Sequence, residues 1–321
     1  MKIQSRLGGG KLGDPSVYID LVDRKRGILL DCGLNNFSHA SLRKVTDLFV
    51  SHTHIDHFIG FDTLLRLNLA ETKTLHVYGP PGIQQHVAGK LQGYVWNICQ
   101  SLRLTIVAHE ILPERIVSTT FESWRGFEVT RTVEQPKAAA LLDTEDFSVS
   151  YIRLNHKTPS FGYSLLEADS FNVRKEALQQ LDLEVGPWIA ALKRHADQPA
   201  AQETLLQVGA KTFTVGFLAS RLLVRKKGVK ITYLTDFMLA EEDLDNIIRF
   251  AWEADILFCE AAFAEKDRAK ARRTYHLTAK EAGLLARLAH VKQLILFHFS
   301  RRYQDYSPLI KEAKAEFPYV E

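Results

Sequence analysis

The stretch Ser51-His52-Thr53-His54-Ile55-Asp56-His57 constrains this chain more than any other. It places three imidazoles and one carboxylate within six residues. Before it lies an apolar, β-type run, Thr46–Ser51 (TDLFVS); after it, Phe58, Phe61, Leu64, Leu65 and Leu69 recur at helical spacing. The segment therefore reads as a strand-to-helix turn, with a predicted helix from about His57 to Ala70. Residues two apart on an extended strand end point the same way, so His52 and His54 can bind one cation together. Asp56 and His57 follow where the chain turns into the helix and can face a second cation beside the first. Imidazole nitrogen with carboxylate oxygen is a ligand set suited to Zn²⁺ and similar borderline ions.

Two adjacent cations need more ligands from elsewhere. The candidates are His156 after Tyr151–Leu154, Asp236 after Ile231–Leu234 and His298 after Gln293–Phe297, each at the C-terminal end of a predicted strand. Taken singly, each is an ordinary surface or capping residue; recurrence of one topological position in three distant segments singles them out. Further strands are predicted at Ser16–Val22, Gly27–Asp31, Thr74–Tyr78, Leu104–Val107, Ser148–Leu154, Gly162–Leu166, Lys230–Leu234 and Asp255–Cys259. Helices are predicted at Glu241–Trp252 and Thr278–Ala289. Strands followed by helices in both halves predict an α/β chain with a layered αββα architecture. Residues 168–230, rich in Gln, Lys and Arg, break that rhythm. They read as an arm inserted into a single domain spanning 1–321, without a core of its own.

Composition limits the partners. The 321 residues are 46% hydrophobic and 25% charged, as in a soluble globular protein, and the net charge of +3 excludes a polybasic or an acidic disordered chain. Three scattered cysteines (Cys32, Cys99, Cys259) argue against a disulfide framework and for a reducing, cytoplasmic setting. No apolar run approaches the roughly 18–20 residues of a spanning helix, so no membrane partner is expected. The basic runs Arg225-Lys226-Lys227, Lys266–Arg273 and Arg301-Arg302 are either phosphate contacts or solvated faces. His39, His76, His86, His109, His195 and His290 have no ligand partners nearby in sequence and receive no role.

The run HTHIDH resembles the H-x-H-x-D-H signature of the metallo-β-lactamase fold superfamily. The rest is similar to one branch of it, ribonuclease Z, endonucleases that trim transfer-RNA precursors on the 3′ side. The resemblance runs from Leu30-Asp31-Cys32-Gly33 to Arg302-Tyr303. It includes Pro159-Ser160-Phe161-Gly162-Tyr163 after His156, Glu260-Ala261, Tyr275-His276-Leu277-Thr278-Ala279 and His298-Phe299-Ser300-Arg301-Arg302-Tyr303. The chain departs from the family pattern at Leu34-Asn35-Asn36, Phe237, Ala262 and the loop Gly8–Gly13, none of which removes a ligand.

The resemblance implies the four-layer αββα fold with an inserted arm, and two Zn²⁺ per chain, with Mn²⁺ or Fe as alternatives. One ion would be held by His52, His54 and His156, the other by Asp56, His57 and His298, with Asp236 bridging and Asp31 orienting the ligands from behind. A hydroxide shared by the metals would attack phosphorus and leave a 3′-hydroxyl and a 5′-phosphate. Asp56 would steady that nucleophile, while His276, paired with Glu260, would stabilise or protonate the departing oxygen. Gly186-Pro187 resembles the motif with which the family's arm grips the transfer-RNA body; a homodimer is also implied. Arg301 is a candidate substrate contact. Three other readings stand beside this one. The same site could act on a cyclic nucleotide or another small phosphodiester. A non-catalytic binding subunit is disfavoured by the complete ligand set. An oxygen-reducing di-iron enzyme is disfavoured because that branch places Glu where His54 stands.

Overall fold

Alternation of side chains along apolar strands decides the layering of this chain. In the computed structural model, which describes residues 3–321, eight strands form a first sheet in simple chain order. They are β1 (Ile3–Leu7), β2 (Val17–Leu21), β3 (Arg26–Leu30), β4 (Val45–Phe49), β5 (Lys73–Gly79), β6 (Leu104–Ile111), β7 (Arg115–Glu122) and β8 (Val129–Pro136). The later strands are β9 (Leu142–Asp143), β10 (Phe147–Leu154), β11 (Ser160–Glu167), β12 (Ser170–Val173), β13 (Leu205–Val208), β14 (Lys211–Thr214), β15 (Leu223–Lys226), β16 (Lys230–Leu234), β17 (Ile256–Glu260) and β18 (Leu294–Phe297). A second sheet has the order β18-β17-β16-β11-β10-β9. Strands β3 to β6 are mutually parallel, as are β16 to β18.

Both parallel blocks are apolar on each face, as strands covered on two sides must be. Ile28 and Leu30 of β3 join a cluster between the sheets with Tyr163, Tyr233, Phe258 and Phe297. Leu29, pointing the other way, packs in an outer cluster with Leu42, Leu64 and Val87. In β17 the pattern repeats: Phe258 lies between the sheets, whereas Leu257 and Cys259 pack with Ile247 and Leu285 of the covering helices. Helix, sheet, sheet and helix are therefore stacked in four layers.

Three local expectations are corrected. The helix expected from His57 to Ala70 is two, Ile55–Phe58 and Phe61–Asn68. It breaks to receive the loop after β3: Gly60 N–H donates to Cys32 O at 2.7 Å, and Cys32 N–H to His57 O at 2.8 Å. A Cβ at Gly60 would lie 2.5 Å from the Gly33 carbonyl oxygen, so only glycine allows this approach. The single strand expected at Leu104–Val107 is the longer β6 of an antiparallel trio with β7 and β8. β8 is exposed along nearly its whole length, which erases the apolar alternation that would have marked it.

The third correction concerns the insertion. Residues 167–228 form a compact unit by themselves, with β12 paired to β15 and β13 to β14. Contrary to expectation, the unit has a small core, in which Leu178, Leu192, Val215, Leu218 and Leu222 pack together.

Candidate metal centre

The site is assembled from the C-terminal ends of strands in both sheets, where layered α/β folds gather functional groups. Asp31 follows β3, Ser51 to His57 follow β4, His156 follows β10, Asp236 follows β16, Glu260 ends β17 and His298 follows β18. Asp31, Asp236 and His298 take left-handed backbone conformations (φ 56°, 48° and 60°), turning the chain sharply away from each strand. That region costs a non-glycine residue about 1–2 kcal/mol, so the surrounding bonds must hold it.

Those bonds are visible at Asp31, which is completely buried. It accepts from Ser51 N–H (2.6 Å), Ser51 Oγ (2.7 Å), Tyr233 OH (2.6 Å) and His57 Nδ1 (2.7 Å). The network puts a proton on His57 Nδ1 and leaves Nε2 facing Asp236 Oδ2 at 3.4 Å and Asp56 Oδ2 at 3.7 Å. His156 is oriented in the same way: Nδ1 donates to the Tyr275 carbonyl at 3.2 Å, and Nε2 lies 4.0 Å from Asp236 Oδ2.

Around Asp236 the donor atoms of the seven candidate ligands fall into two groups, and a third cluster joins Asp236 and His298 to Glu260 and His276. Those of His52, His54, His156 and Asp236 lie within 4.8 Å of one another, as do those of Asp56, His57 and His298. Asp236 also touches the second group, with Oδ1 2.9 Å from His298 Nδ1. Despite that short distance, His298 Nδ1 is not in hydrogen-bond alignment. Together with His57 Nε2 and His156 Nε2 it is a buried nitrogen without a hydrogen-bond partner. Buried polar atoms are normally satisfied, and cations at this cluster would satisfy all three. The residues present therefore fit a metal: five imidazoles and two carboxylates whose ligand atoms converge.

Charge is unevenly distributed over the cluster. Burial, assisted by the neighbouring imidazoles, pushes His52 down to about 2. Burial likewise takes His156 down to about 4, against the pull of Asp236. Burial also opposes charge on His57 and His298, but the Asp236 carboxylate outweighs it in both. Asp31 adds to this at His57, and at His298 so does the hydrogen bond that its Nε2 donates to Asp56, so His57 rises well above its ordinary value and His298 rises to about 10. For Asp56 and Asp236 desolvation is again overcome by His298 and His57, and both stay below the usual carboxylate range.

His276 stands beside this cluster. Its Nδ1 is 2.9 Å from Glu260 Oε2, and its ring lies 5.6 Å from that of His298. Glu260 is fully buried and also accepts the Phe237 N–H at 2.7 Å, which fixes its carboxylate. Burial works against charge on His276, but the Glu260 carboxylate prevails and raises its pKa.

The structure thus brings together every candidate ligand, Asp31, Glu260 and His276. Arg301 is exposed and reaches Asp14 Oδ1 at 3.3 Å, at the rim of a cleft that also holds Asp56, His276 and His298. Gly186 and Pro187 lie in the separate inserted unit, just before the helix Trp188–His195. Sequence reasoning missed Ser51, Tyr233 and the Tyr275 carbonyl as ligand-orienting groups. It also gave His86 no role, although His86 Nδ1 is 2.8 Å from Thr53 Oγ1, within the histidine run. No helix among the described residues is long and apolar enough to cross a membrane.

The chain is similar to proteins already known. A family profile described as Beta-lactamase superfamily domain matches residues 26–163. Ribonuclease Z of Deinococcus radiodurans is 34% identical, covering 97% of this chain and 96% of that protein. Zinc phosphodiesterase ELAC protein 1 of Bos taurus is 27% identical, covering 90% of this chain and 82% of that one. The crystal structure of human tRNase Z, short form, shares the fold with a TM-score of 0.56 at 19% identity, covering 95% of each chain. With a third of its residues matched over nearly its whole length, this chain belongs to the ribonuclease Z family of the metallo-β-lactamase superfamily.

Proposed function

We propose that this chain is a metal-dependent endoribonuclease that cuts transfer-RNA precursors on the 3′ side. The observation that carries the proposal is the paired histidine–aspartate cluster at the strand ends, in a chain so similar to a ribonuclease Z. His52, His54 and His156 would hold one zinc ion, Asp56, His57 and His298 a second, and Asp236 would touch both; Mn²⁺ or Fe are alternatives. Such ions, when bound, neutralise charge on phosphoryl oxygens and acidify water for attack on phosphorus.

The chain's own groups do the rest. Asp31 locks His57, and the Tyr275 carbonyl locks His156, so neither imidazole loses orientation as the phosphate arrives. The side chain of Asp56 is 36% exposed, so its carboxylate can accept a hydrogen bond from the attacking water and hold its lone pair towards phosphorus. His276, with Nδ1 committed to Glu260, presents Nε2 to the departing 3′ oxygen and gives it a proton.

Three buried, unpaired cysteines suit a cytoplasmic enzyme. The homodimer and the grip of Gly186-Pro187 on the RNA body rest on the family resemblance. The test is incubation of the purified protein with a labelled precursor transfer RNA, with and without a chelator. A single cut on the 3′ side, lost with chelator and restored by zinc, is expected. Hydrolysis of a small chromogenic diester without any RNA cleavage would replace the precursor by a small phosphodiester substrate.

A further inference from the structure

Asp56, His276 and His298 line a cleft of about 490 Å³. That lies within the range of about 300–1,000 Å³ typical of small-ligand pockets, with room for one nucleoside. Asp14, Thr274, Ser300 and Arg301 also line it, and the rest of the lining is apolar, with two members that contribute little to any core. Ile55, set between His54 and Asp56, is 74% exposed, and Leu12 is 37% exposed. A single exposed aliphatic residue is unremarkable on a protein surface. Here two line one cleft, beside a centre suited to phosphodiesters.

The Leu12 wall is braced by close contacts. A Cβ at Gly13 would lie 2.1 Å from the Gly9 carbonyl oxygen, so the glycine loop closes tightly on itself. The Lys11 carbonyl accepts the Phe299 N–H at 2.9 Å, tying the loop to the segment after His298. Asp14 accepts the Leu34 N–H through Oδ2 (3.2 Å) and pairs with Arg301 through Oδ1 (3.3 Å). Both its oxygens are spent on holding the wall. Thr274 Oγ1, also in the cleft, is likewise spent on the Lys270 carbonyl at 2.9 Å.

We propose that this cleft is a nucleoside subsite in which Leu12 and Ile55 clamp the face of the base flanking the scissile phosphate. The proposal rests on the endoribonuclease reading above. Asp14 and Thr274 are already committed, Ser300 and Arg301 line the same cleft, and Leu12 and Ile55 grip the π-face of a base, a contact that every base offers.

The test uses the metal-loaded protein and RNAs carrying one abasic residue immediately 5′ or immediately 3′ of the cut. One of these positions is expected to lower kcat/KM about tenfold or more, while exchange among the four bases there changes it only a few-fold. Leu12→Ala should lose a comparable factor on the intact RNA and become indifferent to the abasic residue; Ile55→Ser should do the same. Leu12 is no ligand neighbour, so its variant carries the test if Ile55→Ser loses metal by elemental analysis. A 4-thiouridine at the sensitive position should photo-crosslink to the peptide bearing Leu12 in the wild type. The subsite is overturned, with the endoribonuclease reading intact, if both abasic RNAs are cut as fast as the parent or if Leu12→Ala keeps the full abasic penalty. If the intact RNA is not cut at all, both readings fall.

Discussion

The two ligand groups that meet at Asp236 are made of the same chemical parts and hold protons in opposite ways. On one side, burial keeps His52 and His156 neutral far below their ordinary titration range. On the other, His57 and His298 are driven upward although burial opposes it, because Asp31 and Asp56 add their carboxylates to that of Asp236. In the first group His52 and His156 are neutral, and His52 Nε2 is hydrogen-bonded to His54 Nδ1 at 2.9 Å. The second must release protons before it can bind a cation. Burial alone therefore does not define the site; the number of carboxylates each imidazole meets does.

The largest effect that can break this comparison comes from the residue the groups share. Asp236→Ala should abolish turnover and deplete metal from both groups, as read by elemental analysis. If one ion stayed fully bound, the groups would be independent. Next, His276→Ala should lower kcat by about 10²–10⁴-fold, the usual contribution of a general acid, with metal content near normal. Parallel loss of metal and activity would make His276 a structural residue.

A smaller effect separates the groups directly. Asp31→Asn should weaken metal affinity about 10–100-fold, and mainly for the ion at His57, because that imidazole bonds Asp31 directly whereas His52 reaches it only through Ser51 Oγ. Acidification should act in the same direction. His57 and His298 bind protons more tightly than free histidine, so falling pH makes protons compete for their nitrogens, and the second group should lose its metal first. Stoichiometric competition titrations with a zinc chelator across the pH range would show equal sensitivity if the comparison is wrong.

The smallest change concerns pH dependence. Because the Glu260 carboxylate raises the pKa of His276, the protonated acid persists above the ordinary histidine range, and activity should fall only as pH rises through that raised value. Glu260→Gln should move this alkaline limb of kcat towards lower pH. An unmoved limb would assign it to another group.

How much of this could be read beforehand follows from sequence separation. His52, His54, Asp56 and His57 were legible because strand and helix periodicity act within a few residues. His156, Asp236 and His298 were legible because each ends an apolar strand. The partnership of Glu260 with His276 was available only through the family resemblance. Ser51, Tyr233 and the Tyr275 carbonyl carried no signal: a hydroxyl or a carbonyl becomes a ligand-orienting group only when a distant strand brings its partner. Tyr233 and Asp31 are 202 residues apart in the chain yet bond at 2.6 Å. The break at Gly60 did have a signal, the glycine inside an otherwise helical pattern, and its cause is the loop that packs against it. β8 was hidden for the opposite reason, since an exposed edge strand has no buried face to enforce alternation.

By itself the amino-acid order determined the layered α/β plan and the ligand types, because both follow from periodicity and side-chain chemistry acting along the chain. Only the tertiary structure decided that the two groups hold protons unequally around Asp236, and that a cleft opens beside them. Those properties depend on which carboxylate lies within a few ångströms of which imidazole, a matter of distance in space that no spacing along the chain encodes.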